Sequence, residues 1–255
     1  MLKVRIIPVL LWKEFGLVKG IGFNSSRRVG SALPAMKIYN QREVDELFFV
    51  DIYLNETKGS PDYELIKELS SECFVPLTVG GGITNENDVY ALLRTGADKI
   101  SINTAAFANP NLISNVAKQF GSQSIVSSID ARAVNYNKWV CFSHSGSYDT
   151  GRNVIDWARE VEDRGAGEIL LTSIDMDGTM AGYDLALIEA VTSAVHIPVI
   201  ASGGAGSYQD MVDAVKESGA SAVAAASIFH FTELTPAGAK EALSHAGFEV
   251  RRPFL

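Results

Sequence analysis

The sequence predicts an α/β protein built as a closed (β/α)8 barrel, and three observations carry that reading. Short apolar, β-branched runs alternate with amphipathic stretches along the whole chain. The strand-like runs are apolar throughout, as in a parallel sheet covered on both faces. The two halves of the chain, about 1–122 and 123–255, repeat each other. The length of 255 residues fits a single domain, 1–255, because such barrels run to ~250 residues. An open doubly wound sheet is the alternative for the same alternation.

In chain order the strand candidates are Val4–Leu11, Glu46–Ile52, Val75–Val79, Lys99–Asn103, Ser124–Asp130, Glu168–Ile174, Val199–Ser202 and Ala222–Ala226. Helical spacing of apolar residues marks Tyr63–Ser71, Asn87–Thr95, Asn111–Gln119, Val154–Arg164, Leu185–Ala194, Gln209–Ser218 and Pro236–Ala246 between or after them. The repeat aligns Glu46 with Glu168, Asp62 with Asp184, Pro76 with Pro198, and Gly81-Gly82 with Gly203-Gly204. After one inserted residue it aligns Asn103-Thr104 with Ala226-Ser227. Each half is therefore expected to be one half-barrel, related to the other by a pseudo-twofold axis.

Composition narrows the functional classes. The chain has 22 Lys+Arg against 30 Asp+Glu, a formal net charge of −8. A broad acidic surface argues against nucleic acid or an anionic membrane as partner. The apolar run Ile6–Trp12 is too short to span a bilayer and has no cleavage pattern behind it. Cys73 and Cys141 sit in apolar contexts and read as two buried thiols of a cytoplasmic protein. The four histidines, His144 in an inserted hairpin expected at Tyr136–Ser147 after the fifth strand, His196, His230 and His245, have no metal-ligand spacing. No metal and no cofactor are expected.

The repeat also duplicates chemistry. The active face of such a barrel lies at the strand C-termini. There the first half offers Gly80-Gly81-Gly82 and Asn103-Thr104, and the second offers Ser202-Gly203-Gly204 and Ala226-Ser227. Glycines let backbone N–H groups come close to an anion. A single Gly-Gly pair reads equally well as a tight strand-to-helix turn. Two pairs at equivalent places, each followed one strand later by a hydroxyl, read as two phosphate sites. The expected ligand is long and phosphorylated at both ends.

These residues lie within longer motifs: Arg5-Ile-Ile-Pro8, Thr78-Val-Gly-Gly-Gly-Ile83, Ser101-Ile-Asn-Thr-Ala-Ala106, Ser173-Ile-Asp-Met-Asp-Gly-Thr179 and Ala201-Ser-Gly-Gly-Ala-Gly206. Over essentially its whole length the chain resembles the cyclase subunit of imidazole glycerol phosphate synthase. The resemblance implies a TIM barrel of the ribulose-phosphate-binding type and a bisphosphate substrate. It also implies a glutaminase partner, forming a heterodimer, that docks on the N-terminal face. Ammonia made there passes through the barrel to the mouth. Two aspartates ending the first and fifth strands then act as general acid and base for cleavage and ring closure. Carried over, Asp130 ends the fifth strand. Asp177 and Gly178 join the phosphate-binding set. Lys19 lies in a mobile first-loop flap, and Asp51 ends the second strand beside the substrate. Arg5, Glu46, Lys99 and Glu168 form a charged ring at the ammonia entrance, and Asp98 faces the glutaminase. Read without the resemblance, the ring is a set of salt bridges closing the barrel floor, and both readings are compatible.

One position departs. Where the family's first strand ends in an aspartate, this chain has Leu11. A leucine cannot exchange a proton, and loss of one acid/base group costs ~10²–10⁴ in rate. Glu14, on the following loop, is a carboxylate that could reach back into the mouth. An apolar first strand beside an intact ring resembles an offshoot of the family associated with surface-polysaccharide sugars. That offshoot works with a glutaminase homologue and a separate sugar amidotransferase. The sequence reading is therefore a barrel that conducts ammonia for sugar amidation in O-antigen or capsule synthesis. The alternative is an authentic cyclase of histidine biosynthesis, for which the two phosphate sites and Asp130 speak. A third reading, the sister sugar isomerase, has no use for the ring.

Overall fold

Along each predicted strand, side chains point alternately to two sides, so one strand can serve two cores. The computed structural model, which describes residues 3–24, 26–57 and 59–251, has this arrangement. Its strands are β1 (Arg5–Lys13), β2 (Gly16–Lys19), β3 (Arg27–Gly30), β4 (Leu47–Asp51), β5 (Leu77–Gly80), β6 (Lys99–Ile102), β7 (Ile125–Asn135), β8 (Lys138–Ser143), β9 (Tyr148–Asn153), β10 (Glu168–Ser173), β11 (Val199–Ser202) and β12 (Ala222–Ala225). Eight of them pair in parallel in the order β1-β4-β5-β6-β7-β10-β11-β12. β12 pairs back onto β1 with Arg5 opposite Ala222, which closes the barrel. Ile6, Leu47, Phe49, Ile125, Ile169, Leu171 and Val199 belong to the large core between strands and helices. Ile7, Val9, Phe48, Val126, Leu170, Ile200, Ala222 and Ala224 form a second cluster inside the barrel.

The repeat seen in the sequence is physical. Asp62 and Asp184 are N-caps of equivalent helices, Tyr63–Ser71 and Leu185–Thr192, each accepting the N–H three residues on. Capping boxes open the next pair, Asn85 with Asp88 before Glu86–Thr95 and Ser207 with Asp210 before Tyr208–Lys216. Gly81 and Gly203 both have positive φ, 101° and 89°. A side chain at either would run into a backbone carbonyl, that of Asp51 or of Ser173.

Four strands lie outside the barrel order. β1 continues past the barrel to pair antiparallel with β2, which pairs with β3. β7 likewise continues into β8 and β9. Each half-barrel thus raises a three-stranded ribbon from its first strand. The expected flap containing Lys19 is such a ribbon, and Lys19 itself closes β2. Helix Ala32–Gln41 has no counterpart among the expected helices. Short helices Thr104–Ala108 and Ser227–Phe231 follow the Asn103 and Ala226 turns. Cys141 is buried, but Cys73 is only partly so. Among the described residues, no helix is long and apolar enough to cross a membrane.

Candidate functional site

A cavity of about 190 Å³ opens at the C-terminal mouth of the barrel. Parity decides which strand residues reach it. Leu11, Asp130 and Thr172 sit on the inward-facing register and line the cavity. Leu11 pairs with Val50 on β4, and Asp130 pairs with Thr172 on β10. The two are therefore pseudo-twofold equivalents, a hydrocarbon and a carboxylate at matching places. Gly81, Gly82, Asn103 and Thr104 border the cavity from the first half. Gly203, Gly204, Ala226 and Ser227 border it from the second, with Asp177 and Gly178 between. The Oγ of Ser227 is buried without a partner. The first turn of each short helix leaves N–H groups with no intrahelical acceptor.

Asp51 does not belong to this set. It follows the inward residue Val50, so its side chain turns outward to a small recess lined by Leu54, Asp62 and Leu65. There its Oδ1 accepts the N–H of Tyr53 at 2.9 Å. Burial lifts its carboxyl above the ordinary range. Glu14 also fails as a substitute for the missing carboxylate, because it sits exposed on the β1–β2 turn with φ 56°.

Asp130 is 9% exposed and accepts a hydrogen bond from Asn103 Nδ2 at 2.8 Å. Burial, with the negative charge of Asp177 adding, pushes its carboxyl up to about 7. A group poised there is both a fair acid and a fair base at neutral pH. Lys19 is 4% exposed and donates to both oxygens of Asp177 at 2.7 and 2.6 Å. Gly22 N–H also donates to the Asp177 carbonyl at 2.8 Å. The first ribbon is thus pinned over the loop after β10. The Arg27 guanidinium, on the residue paired with Lys19 across β2 and β3, stacks on the Phe231 ring at 4.1 Å and adds a second tie at the same end of the ribbon. Beneath it, burial first and the Lys19 charge second lower the His230 imidazole from its usual value. Ser128, Ser145 and Ser202 also line the cavity. Of these, Ser128 and Ser202 follow from inward parity, whereas Ser145 comes from the β8–β9 turn and left no signal in the sequence.

At the opposite face the ring residues meet. Arg5 Nη1 donates to Glu46 at 2.8 Å and to Glu168 at 3.1 Å. Lys99 Nζ bridges the same two carboxylates at 3.1 Å. Thr78 Oγ1 donates to Glu46 at 2.8 Å. Asp98, exposed on this face, accepts the Leu77 N–H at 2.8 Å. Between ring and cavity lie Ile7, Phe48, Val126, Ile200 and Ala222, all fully buried. The cavity stops above this layer, so the axis holds packed hydrocarbon rather than an open bore. Such a layer opposes charged species far more than small neutral ones.

Two comparisons bear on this arrangement. The family described as histidine biosynthesis protein matches residues 5–235. Imidazole glycerol phosphate synthase subunit HisF of Hyphomonas neptunium (strain ATCC 15444) is 51% identical over 251 residues, covering 98% of this chain and 99% of that protein. With an inward carboxylate, duplicated glycine turns and a match of this extent, the chain belongs to the histidine biosynthesis protein family.

Proposed function

We propose that the chain is a barrel subunit of the imidazole glycerol phosphate synthase type, a lyase and cyclase that uses ammonia from a glutaminase partner. The mouth cavity carries the reading, because Asp130 and two symmetry-related glycine turns line the same space, as a ligand phosphorylated at both ends requires. The glutaminase docks on the face bearing Asp98 and the charged ring. Neutral ammonia slips past the ring and through the apolar layer when side chains move apart, while ammonium is held back by its charge. At the mouth, ring closure needs protons both removed and returned. A single carboxyl near 7 can perform the two steps in turn, which makes a mouth with Leu11 competent but slow.

Leu11 also favours a second reading, in which the barrel only hands ammonia to a separate amidotransferase acting on a sugar. One experiment separates the two. The purified chain is incubated with ammonium and the bisphosphate ribonucleotide of histidine synthesis, beside Leu11→Asp. The first reading expects measurable turnover by the native chain and a gain of ~10²-fold or more on restoring the carboxylate. Turnover by Leu11→Asp alone would overturn it in favour of the second.

A further inference from the structure

Asn103 lies at the end of β6 and lines the cavity beside Asp130. Its amide nitrogen has two protein acceptors, Asp130 Oδ2 at 2.8 Å and the Phe142 carbonyl at 3.4 Å. Its own Oδ1 is buried with no partner. An unpaired buried acceptor is unfavourable, yet turning the amide over would be worse. Oδ1 would then face two acceptors, and the Phe142 oxygen cannot change its role as the Asp130 carboxyl can. The β8 carbonyl therefore keys the amide as a donor toward Asp130.

The repeat tests whether this amide is needed for the turn. The equivalent of Asn103 is Ala226, which begins Ser227–Phe231 as Asn103 begins Thr104–Ala108, with similar φ of −129° and −120°. Ala226 and Leu11 both pack on the inner apolar cluster. The fold thus makes the same turn with alanine where no carboxylate has to be held. We infer that Asn103 is the positioning residue for Asp130, held by the Phe142 carbonyl so that it donates to the carboxylate and keeps that group available as a base.

Donation to a carboxylate favours its ionised form and opposes the effect of burial. The other charged and titratable groups around Asp130 come from several elements. Asp177, after β10, raises it, with Lys19 of β2 clamped on Asp177. Cys141 of β8 is a buried neutral thiol, pushed up by burial and by Asp130 itself. Arg132 of β7 is engaged by Asp175 and the Phe142 ring. Against these two raising effects stands the Asn103 amide, which donates to Asp130 Oδ2 at 2.8 Å.

The inference rests on the proposed role of Asp130, but its test does not. The Asp130 carboxyl is titrated by carbon NMR in the ligand-free barrel, with Asp130→Asn identifying the signal. Asn103→Ala copies the residue that the fold already uses at 226. The midpoint is expected to rise from about 7 by ~1 unit or more. In the turnover assay the acid limb of the kcat/KM profile should move up by the same amount. A folded variant whose midpoint stays put overturns the inference. So does a variant that unfolds, because Asn103 would then be a structural residue. Absence of turnover in the native chain would count against the proposed function alone and leave the titration readable.

Discussion

Asp130→Asn is expected to lower ammonium-dependent turnover by ~10²–10⁴-fold while making the protein more stable at neutral and alkaline pH. Both effects have one cause. The carboxyl titrates at 3.8 when free and at about 7 in the fold. Between those values the folded state binds more protons than the unfolded one. Stability therefore falls as pH rises through this window and levels off above about 7. Removing the charge removes that loss, a gain on the order of 4 kcal/mol at pH 8. The difference should shrink toward pH 4 and vanish well below 3.8, where native and unfolded carboxyls are both protonated. Thermal unfolding from pH 4 to pH 8 reads the divergence directly. A variant that loses activity but follows the native stability curve at every pH would show that Asp130 is not strained by its burial. Sites that trade stability for reactivity behave this way, and here the trade is confined to one half of a duplicated mouth.

The barrel was legible because its signal is local and repeated. Apolar runs, caps such as Asp62 and Asp184, and paired glycines each report on a few neighbouring residues. The second ribbon was legible in part, as an inserted hairpin at Tyr136–Ser147 that β8 and β9 place slightly further on. The turns by which β1 and β7 fold back were not, because Glu14 and Asn137 take positive φ there where a glycine would have announced it. Helix Ala32–Gln41 was hidden by Pro34, which breaks a helical pattern on paper yet is tolerated in a first turn, where the N–H needs no partner. Asp51 shows a different failure. Glu46, Phe48 and Val50 share one face of β4, so the period of two already placed Asp51 on the other. A family motif suggested the mouth, and the parity that contradicted it was in the sequence. The Lys19–Asp177 pair spans 158 residues, and the hydrocarbon layer on the axis draws single residues from five strands. Neither leaves a local trace.

The second large effect is on closure of the barrel. Lys240, on the last helix (Pro236–His245), is 3% exposed and Asp45, just before β4, is 8% exposed. Their charges meet at 2.8 Å. Lys240 Nζ also donates to the Glu43 carbonyl at 2.7 Å. The second oxygen of Asp45 accepts the Ile6 N–H at 2.8 Å. One buried pair thus ties the last helix to β1 and to the segment entering β4, beside the seam where β12 meets β1. Lys240→Met leaves the Asp45 carboxylate buried without its cation, and such losses cost ~3–5 kcal/mol. The denaturant midpoint should fall by that energy divided by the slope, with the slope itself unchanged. Adding Asp45→Asn removes the stranded charge and keeps an acceptor for Ile6, so the double variant should recover most of the loss. If the single change costs under ~1 kcal/mol, the pair is no staple. Because Ile6 adjoins Arg5, loosening this tie should also disturb the ring below the axis, and glutamine-driven turnover should suffer more than turnover supplied with ammonium.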